Sequence, residues 1–181
     1  MMIKPFDPFP ILETERLLIR RIEQSDAEDI FSMRSHAMMH EYTDTIPDTQ
    51  IVQTSNYISR IHKGLSDKIF ILWGIELKSE HKLIGTVCIW NLEEMSNSGE
   101  LGYGIHPDYH HKGYMKEALI PVIQFGLNAM KLSVIEAYTE INNLHSIRLL
   151  EKLNFHKDKI ITEKGQNKNQ DFQMTVYRLS K

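Results

Sequence analysis

Gly102-Tyr103-Gly104-Ile105-His106-Pro107-Asp108-Tyr109-His110-His111-Lys112-Gly113-Tyr114-Met115-Lys116-Glu117-Ala118 reads as a strand that runs through a loop into a helix. A helix N-terminus leaves backbone N–H groups without partners and carries the positive end of the helix dipole. Both favour a bound phosphate. Gly113 lets the backbone come close to such a group, and Lys112 adds a mobile positive charge. The run lacks the glycine-lysine-serine/threonine ending of a nucleoside-triphosphate loop. It also lacks the three-glycine spacing of a dinucleotide fingerprint. Alone, one glycine before a helix equally describes a plain strand-to-helix turn.

Upstream, Thr14–Ile22 reads as a first strand. Ser25 and Glu28 form a capping-box pattern for a helix reaching about His36. Residues 37–47 look irregular. Pro47-Asp48-Thr49 opens a second helix, whose stop is expected at Gly64. Ile69–Leu77 and Leu83–Leu92 are rich in β-branched and aromatic residues and predict a hairpin. Asn97-Ser98-Gly99 marks a turn before a strand over Glu100–His106. Downstream, Lys116–Met130 predicts a helix with Pro121 inside it, Val134–Ile141 a strand, and Asn142–Leu153 a helix. Lys157–Thr162 and Asp171–Leu179 predict a closing pair of strands. The order β-α-α-β-β-β-α-β-α-β-β gives an α+β fold. Its expected core is one mixed, twisted sheet of about seven strands flanked by about four helices, with 1–181 forming one domain.

Composition sets outer bounds. The formal net charge of −3 argues against a general nucleic-acid binder. The single cysteine, Cys88, excludes a disulfide framework within the chain and reads as a small core residue of a protein from a reducing compartment. No apolar run reaches membrane-spanning length. Residues 1–12 read as an extended, proline-bearing arm, and 1–8 lack the features of a signal peptide. A cytoplasmic location is expected.

A second element follows the loop: Asn143-Leu144-His145-Ser146-Ile147-Arg148-Leu149-Leu150-Glu151-Lys152-Leu153-Asn154-Phe155. The two stretches together resemble the acetyl-CoA pyrophosphate loop and the asparagine-to-phenylalanine element of the GNAT superfamily of acetyltransferases. The opening Leu12-Glu13-Thr14-Glu15-Arg16-Leu17-Leu18-Ile19-Arg20 is similar to the start of the branch that acetylates protein N-termini, the ribosomal-protein acetyltransferases included. The resemblance covers nearly the whole chain.

It implies an N-acetyltransferase that uses acetyl-CoA as co-substrate. The backbone of His110, His111, Lys112, Gly113, Tyr114 and Met115 would hold the pyrophosphate. Tyr103, Gly104 and Ile105 would pair with the pantetheine arm like an added strand. A splayed gap between this strand and Val134–Ile141 would admit the thioester, and Asn143 would bond the cofactor. Glu100 would serve as base, usually through water, and Ser146 as acid for the departing thiolate. Ser146 as a first-turn helix residue bonding its own backbone is the competing reading. Tyr103 is a third acid candidate, and a wall of the cleft otherwise. The chain departs from the family pattern at His110 (often arginine or glutamine), Met115 (often glycine or alanine), Leu150 (often an acid tyrosine) and Asn154 (glycine).

The resemblance implies a primary amine as acceptor, with a protein N-terminus as the expected case. Polyamines, aminoglycosides and metabolites remain open on the same fold, as does a non-catalytic acyl-CoA-binding module. Glu41 and Asp44 could attract a cationic amine. His106, His110 and His111 cluster near Asp108 without any common zinc spacing, so no metal is expected. Exposed strand edges of such a sheet would admit a homodimer.

Overall fold

The computed structural model describes residues 8–181, so the first seven residues of the expected arm lie outside the described residues. Among the described residues, eight strands form one sheet. They are β1 (Leu12–Glu13), β2 (Leu17–Arg20), β3 (Ile71–Leu77), β4 (Lys82–Glu93), β5 (Ser98–Ile105), β6 (Val134–Glu140), β7 (His156–Lys164) and β8 (Asp171–Ser180). The helices are α1 (Ala27–Arg34), α2 (Ile51–Ser66), α3 (Tyr114–Asn128) and α4 (Leu144–Lys152). The spatial order is β1-β2-β3-β4-β5-β6-β8-β7. Every neighbouring pair is antiparallel except β5–β6.

That exception positions the site. The parallel ladder joins Ser98 to Val134, Gly99 to Ile135 and Glu100 to Glu136, and goes no further. β5 continues to Ile105 while still paired with β4, and β6 continues to Glu140 while still paired with β8. The sheet therefore splays between them, leaving 101–105 with one open edge.

Side-chain alternation along the strands divides the core. One face buries Trp73, Ile89, Leu101, Val122, Ile135 and Tyr177 beneath α3 and α4. The other packs Ile22, Ile30, Met33, Ile58 and Ile61 around α1 and α2. Trp73 is fully buried, meets Phe9 and Phe125 edge-on, and donates its indole N–H to the Pro10 carbonyl at 2.9 Å.

Several boundaries differ from expectation for local reasons. The first strand divides in two, because Thr14 turns the chain: its N–H donates to the Leu17 carbonyl, and its hydroxyl accepts the Leu17 N–H, both at 3.0 Å. The capping box belongs to Glu23 and Asp26, which open a short 3₁₀ turn ahead of α1, so Ser25 lies inside that turn. A second short 3₁₀ turn, Ala37–His40, occupies part of the irregular stretch. α2 starts at Ile51 behind a Gln50–Gln53 capping box and runs past Gly64 to Ser66. Gly64 is a contact residue there: a Cβ would stand 2.4 Å from the Phe70 ring. Asn97 makes its turn with φ 49°, but Ser98 and Gly99 are already in the sheet. Pro121 lies within a continuous α3.

Candidate active site

The site grows from the fork between β5 and β6. Glu100 stands at its base, in the last paired position, opposite Glu136 on one side and Trp90 on the other. It is half-buried, and its nearest hydrogen-bond donor is Asn91 Nδ2, at 3.4 Å from Oε2. Burial pushes its carboxyl up to about 7; the Asn91 contact opposes the rise, and the charges of Glu163 and Glu136 add to it. Around it, the Tyr138 hydroxyl donates to Glu136 at 3.0 Å. Arg178 Nε lies 3.2 Å from the other Glu136 oxygen, with its N–H directed elsewhere.

Along the open edge, side chains alternate. Glu100, Gly102 and Gly104 share one face, whereas Leu101, Tyr103 and Ile105 share the other. On that second face the Tyr103 phenol meets Ser146 Oγ at 2.8 Å, which joins β5 to the first turn of α4. Ser146 does not turn its hydroxyl back onto its own helix. Its N–H is instead capped by Asn143 Oδ1 at 3.1 Å. Asn143 is thus the N-cap of α4. Its side-chain N–H₂ donates to no protein acceptor among the described residues.

At the end of β5, Pro107–Tyr109 form a 3₁₀ turn, and the loop reaches α3 through two left-handed residues, His111 (φ 60°) and Gly113 (φ 81°). Gly113 is the N-cap, a conformation costly for a residue with a Cβ. Among the described residues, the backbone N–H groups of 111–116 donate to no protein acceptor, while that of Glu117 closes the first turn on Gly113. His110 lies outside this set: its N–H donates to Pro107 at 3.0 Å, and its Nε2 contacts the Ile105 carbonyl at 3.0 Å. The His111 ring meets His145 edge-on at 4.9 Å, bringing the loop beside the start of α4.

The loop is strapped from behind by residues that the sequence reading assigned no part in the site. Glu117 accepts from Thr14 Oγ1 (2.5 Å), Arg16 N–H (2.9 Å) and Arg16 Nε (2.7 Å). Burial alone would raise its carboxyl, but these donors hold it below its ordinary value. Arg16 also donates to the Lys112 carbonyl at 3.1 Å and covers the Tyr114 ring at 4.3 Å. A long-range strap of this kind leaves no local sequence signal. The alternation Glu136-Tyr138-Glu140 beside the fork did offer one, since i, i+2, i+4 share a strand face.

Other candidates have separate tasks. Asp44 accepts the backbone N–H groups of Gln166, Asn167 and Lys168 in the β7–β8 loop (2.6–3.2 Å), and Lys168 Nζ donates to the His40 carbonyl. Asp44 is therefore a clasp. The His106 ring contacts Ser32 and accepts the Asp108 N–H, and burial lowers its pKa. Among the described residues, no three His, Cys, Asp or Glu side chains group so as to hold a metal ion, and no helix is long and apolar enough to cross a membrane. Burial pushes the Cys88 thiol up to about 12, which removes it as a nucleophile near neutral pH.

Comparison with known proteins fits this geometry. A family model described as an acetyltransferase (GNAT) domain matches residues 16–156. An uncharacterized N-acetyltransferase of Bacillus subtilis, YoaA, is 32% identical over 173 residues, covering 96% of this chain and 98% of its own. The ribosomal-protein-S5-alanine acetyltransferase of Vibrio fischeri superposes with a TM-score of 0.78 at 23% identity, over 92% of this chain and 95% of that one. RimL, a ribosomal L7/L12 α-N-protein acetyltransferase solved with coenzyme A, gives a TM-score of 0.83 at 12% identity, over 94% and 98%. The chain belongs to the GNAT family of N-acetyltransferases.

Proposed function

We propose that the protein moves the acetyl group of acetyl-CoA onto the α-amine of a protein or peptide N-terminus, by direct attack in a ternary complex. The observation that carries this reading is the row of unspent N–H groups over 111–116 beside a splayed fork with Glu100 at its base. These N–H groups suit a pyrophosphate. The open edge at Tyr103, Gly104 and Ile105 suits an extended pantetheine arm, and the Asn143 side-chain N–H₂ is free to donate to the cofactor. The coenzyme A held by RimL is consistent with that ligand.

Glu100 is the base. A protonated amine cannot attack a thioester, so its proton must leave first. A carboxylate poised near 7 takes that proton far more readily than one near 4. An α-ammonium has a pKa of about 7.7–8.0, roughly one unit above Glu100, whereas an alkylammonium near 10.4 lies more than three units above it. Proton transfer to Glu100 therefore favours α-amines. Ser146, in the first turn at the positive end of α4, would supply a hydrogen-bond donor to the leaving sulfur.

A second reading is a polycationic small-molecule amine, favoured by the carboxylates of Glu136 and Glu163 around Glu100. Thermal unfolding with acetyl-CoA, CoA and ATP in parallel tests the cofactor assignment, because a ligand of the native state raises the melting temperature. Stabilisation by acetyl-CoA but not ATP supports it; no shift with acetyl-CoA well above micromolar overturns it. A thiol-release screen over N-terminal peptides, polyamines and aminoglycosides then separates the two acceptors. An acyl-CoA-binding module without turnover would release no thiol with any of them.

A further inference from the structure

We infer that Tyr103 is a positioning residue for the departure of coenzyme A: it holds Ser146 as a hydrogen-bond donor aimed into the fork. The inference rests on the proposed acetyl transfer. The two hydroxyls reach each other at 2.8 Å from opposite banks, one on the open edge of β5 and one on the first turn of α4. Ser146 is the sole partner of the Tyr103 hydroxyl among the described residues. The Ser146 N–H is already satisfied by Asn143, and its hydroxyl makes no bond to the backbone of α4. No phenol comes from the interior of α4, since position 150 is a leucine with no exposed surface, packed in the core.

A hydroxyl has one hydrogen to give and two lone pairs to receive. When the phenol donates to Ser146 Oγ, the serine hydrogen is left for an acceptor in the fork. Hydroxyls linked in series polarise one another, which strengthens the terminal donor. Burial pushes the Tyr103 phenol up to about 12, so it is uncharged at neutral pH; either hydroxyl can give its hydrogen to the other, and the phenol, the more acidic of the two, is the better donor.

The chemistry balances without any proton leaving Tyr103. The neutral amine nitrogen bonds the acetyl carbon and gives up one proton to solvent. The C–S bond breaks with its electron pair on sulfur. Coenzyme A leaves as a thiolate, which receives the Ser146 hydrogen bond and takes its proton from solvent. Amine and thioester become amide and thiol.

The test is a double-mutant cycle on the full chain, read as kcat and as KM for acetyl-CoA. Tyr103→Phe is expected to lower kcat about five- to tenfold, the worth of one hydrogen bond, with KM and melting temperature unchanged. Ser146→Ala should lower kcat further, and Ser146→Thr, which keeps a hydroxyl, should restore most of it. In the Ser146→Ala background, Tyr103→Phe should change kcat by less than about twofold. Wild-type kcat in Tyr103→Phe, an equal loss in both backgrounds, or a loss that comes with a raised KM or a lower melting temperature overturns the inference alone. A wild type that releases no thiol with any amine overturns the proposed function and this inference with it.

Discussion

Two regions of the molecule use the same parts in opposite ways. In the clasp between residues 41–48 and the β7–β8 loop, a carboxylate and a row of backbone N–H groups satisfy each other. Asp44 collects the N–H groups of Gln166, Asn167 and Lys168, and that of Asn167 leads in holding its carboxyl below the usual range. At the fork, the carboxylate and the N–H groups are kept apart. Glu100 has one long contact with Asn91 and is pushed up to about 7, while the N–H groups of 111–116 have no protein acceptor among the described residues. An anion-ready loop filled by the chain's own carboxylate is structure. The same loop left unfilled beside an underserved base is equipped for a ligand.

The sharpest way to break this comparison is Glu100→Gln. If the underserved carboxylate is the base, kcat should fall about 100- to 1000-fold, while the thermal shift given by CoA stays at its wild-type size. Retained turnover in steady-state thiol release would reduce Glu100 to an edge residue. Gly113→Val comes next. It forces a Cβ onto φ 81°, a strain on the order of 1–2 kcal/mol, and should raise KM for acetyl-CoA roughly tenfold with little change in kcat. The pH profile follows: kcat/KM should climb as Glu100 loses its proton and level off above about 7. A profile flat from pH 5.5 to 8 would contradict that assignment.

Stability should show the same contrast more weakly. Glu100 has a folded pKa above its unfolded value near 4.3, so the folded state binds the proton more tightly. The wild type therefore loses stability as pH rises from about 4.3 through about 7. Glu100→Gln carries no such penalty, and calorimetry at pH 8 should find it melting a little higher than the wild type, with the gap closing toward pH 5. Asp44→Ala should do the reverse. It strands three N–H groups in an exposed loop and should lower the melting temperature modestly, while KM for acetyl-CoA stays put.

The sheet and its helices were legible in the sequence because periodicity is local. The strand-loop-helix run over 102–118 and the asparagine-led α4 stand where expected. Meanings that depend on distant partners were not legible. Gly64 reads as a helix stop, yet it is small because the Phe70 ring leaves no room for a Cβ. Asp44 reads as an attractor for a cationic amine, yet it is bonded to a loop more than 120 residues away. Ser146 reads equally as an acid or as a first-turn residue bonding its own backbone, and Asn143 reads as a cofactor ligand. Only their three-dimensional arrangement assigns the cap to Asn143 and frees the serine hydroxyl for Tyr103. The strap of Thr14 and Arg16 on Glu117 joins elements a hundred residues apart, beyond any pattern in the chain.

Cys88 has a practical consequence. It is the chain's only cysteine, it lies on β4 with its side chain packed against the core beneath α1 and α2, and burial pushes its thiol up to about 12. A disulfide reagent such as Ellman's reacts with thiolates, so the folded protein should contribute almost no colour of its own near neutral pH. Each equivalent released during turnover would then belong to coenzyme A, and a slow extra equivalent would report the protein unfolding in the cuvette.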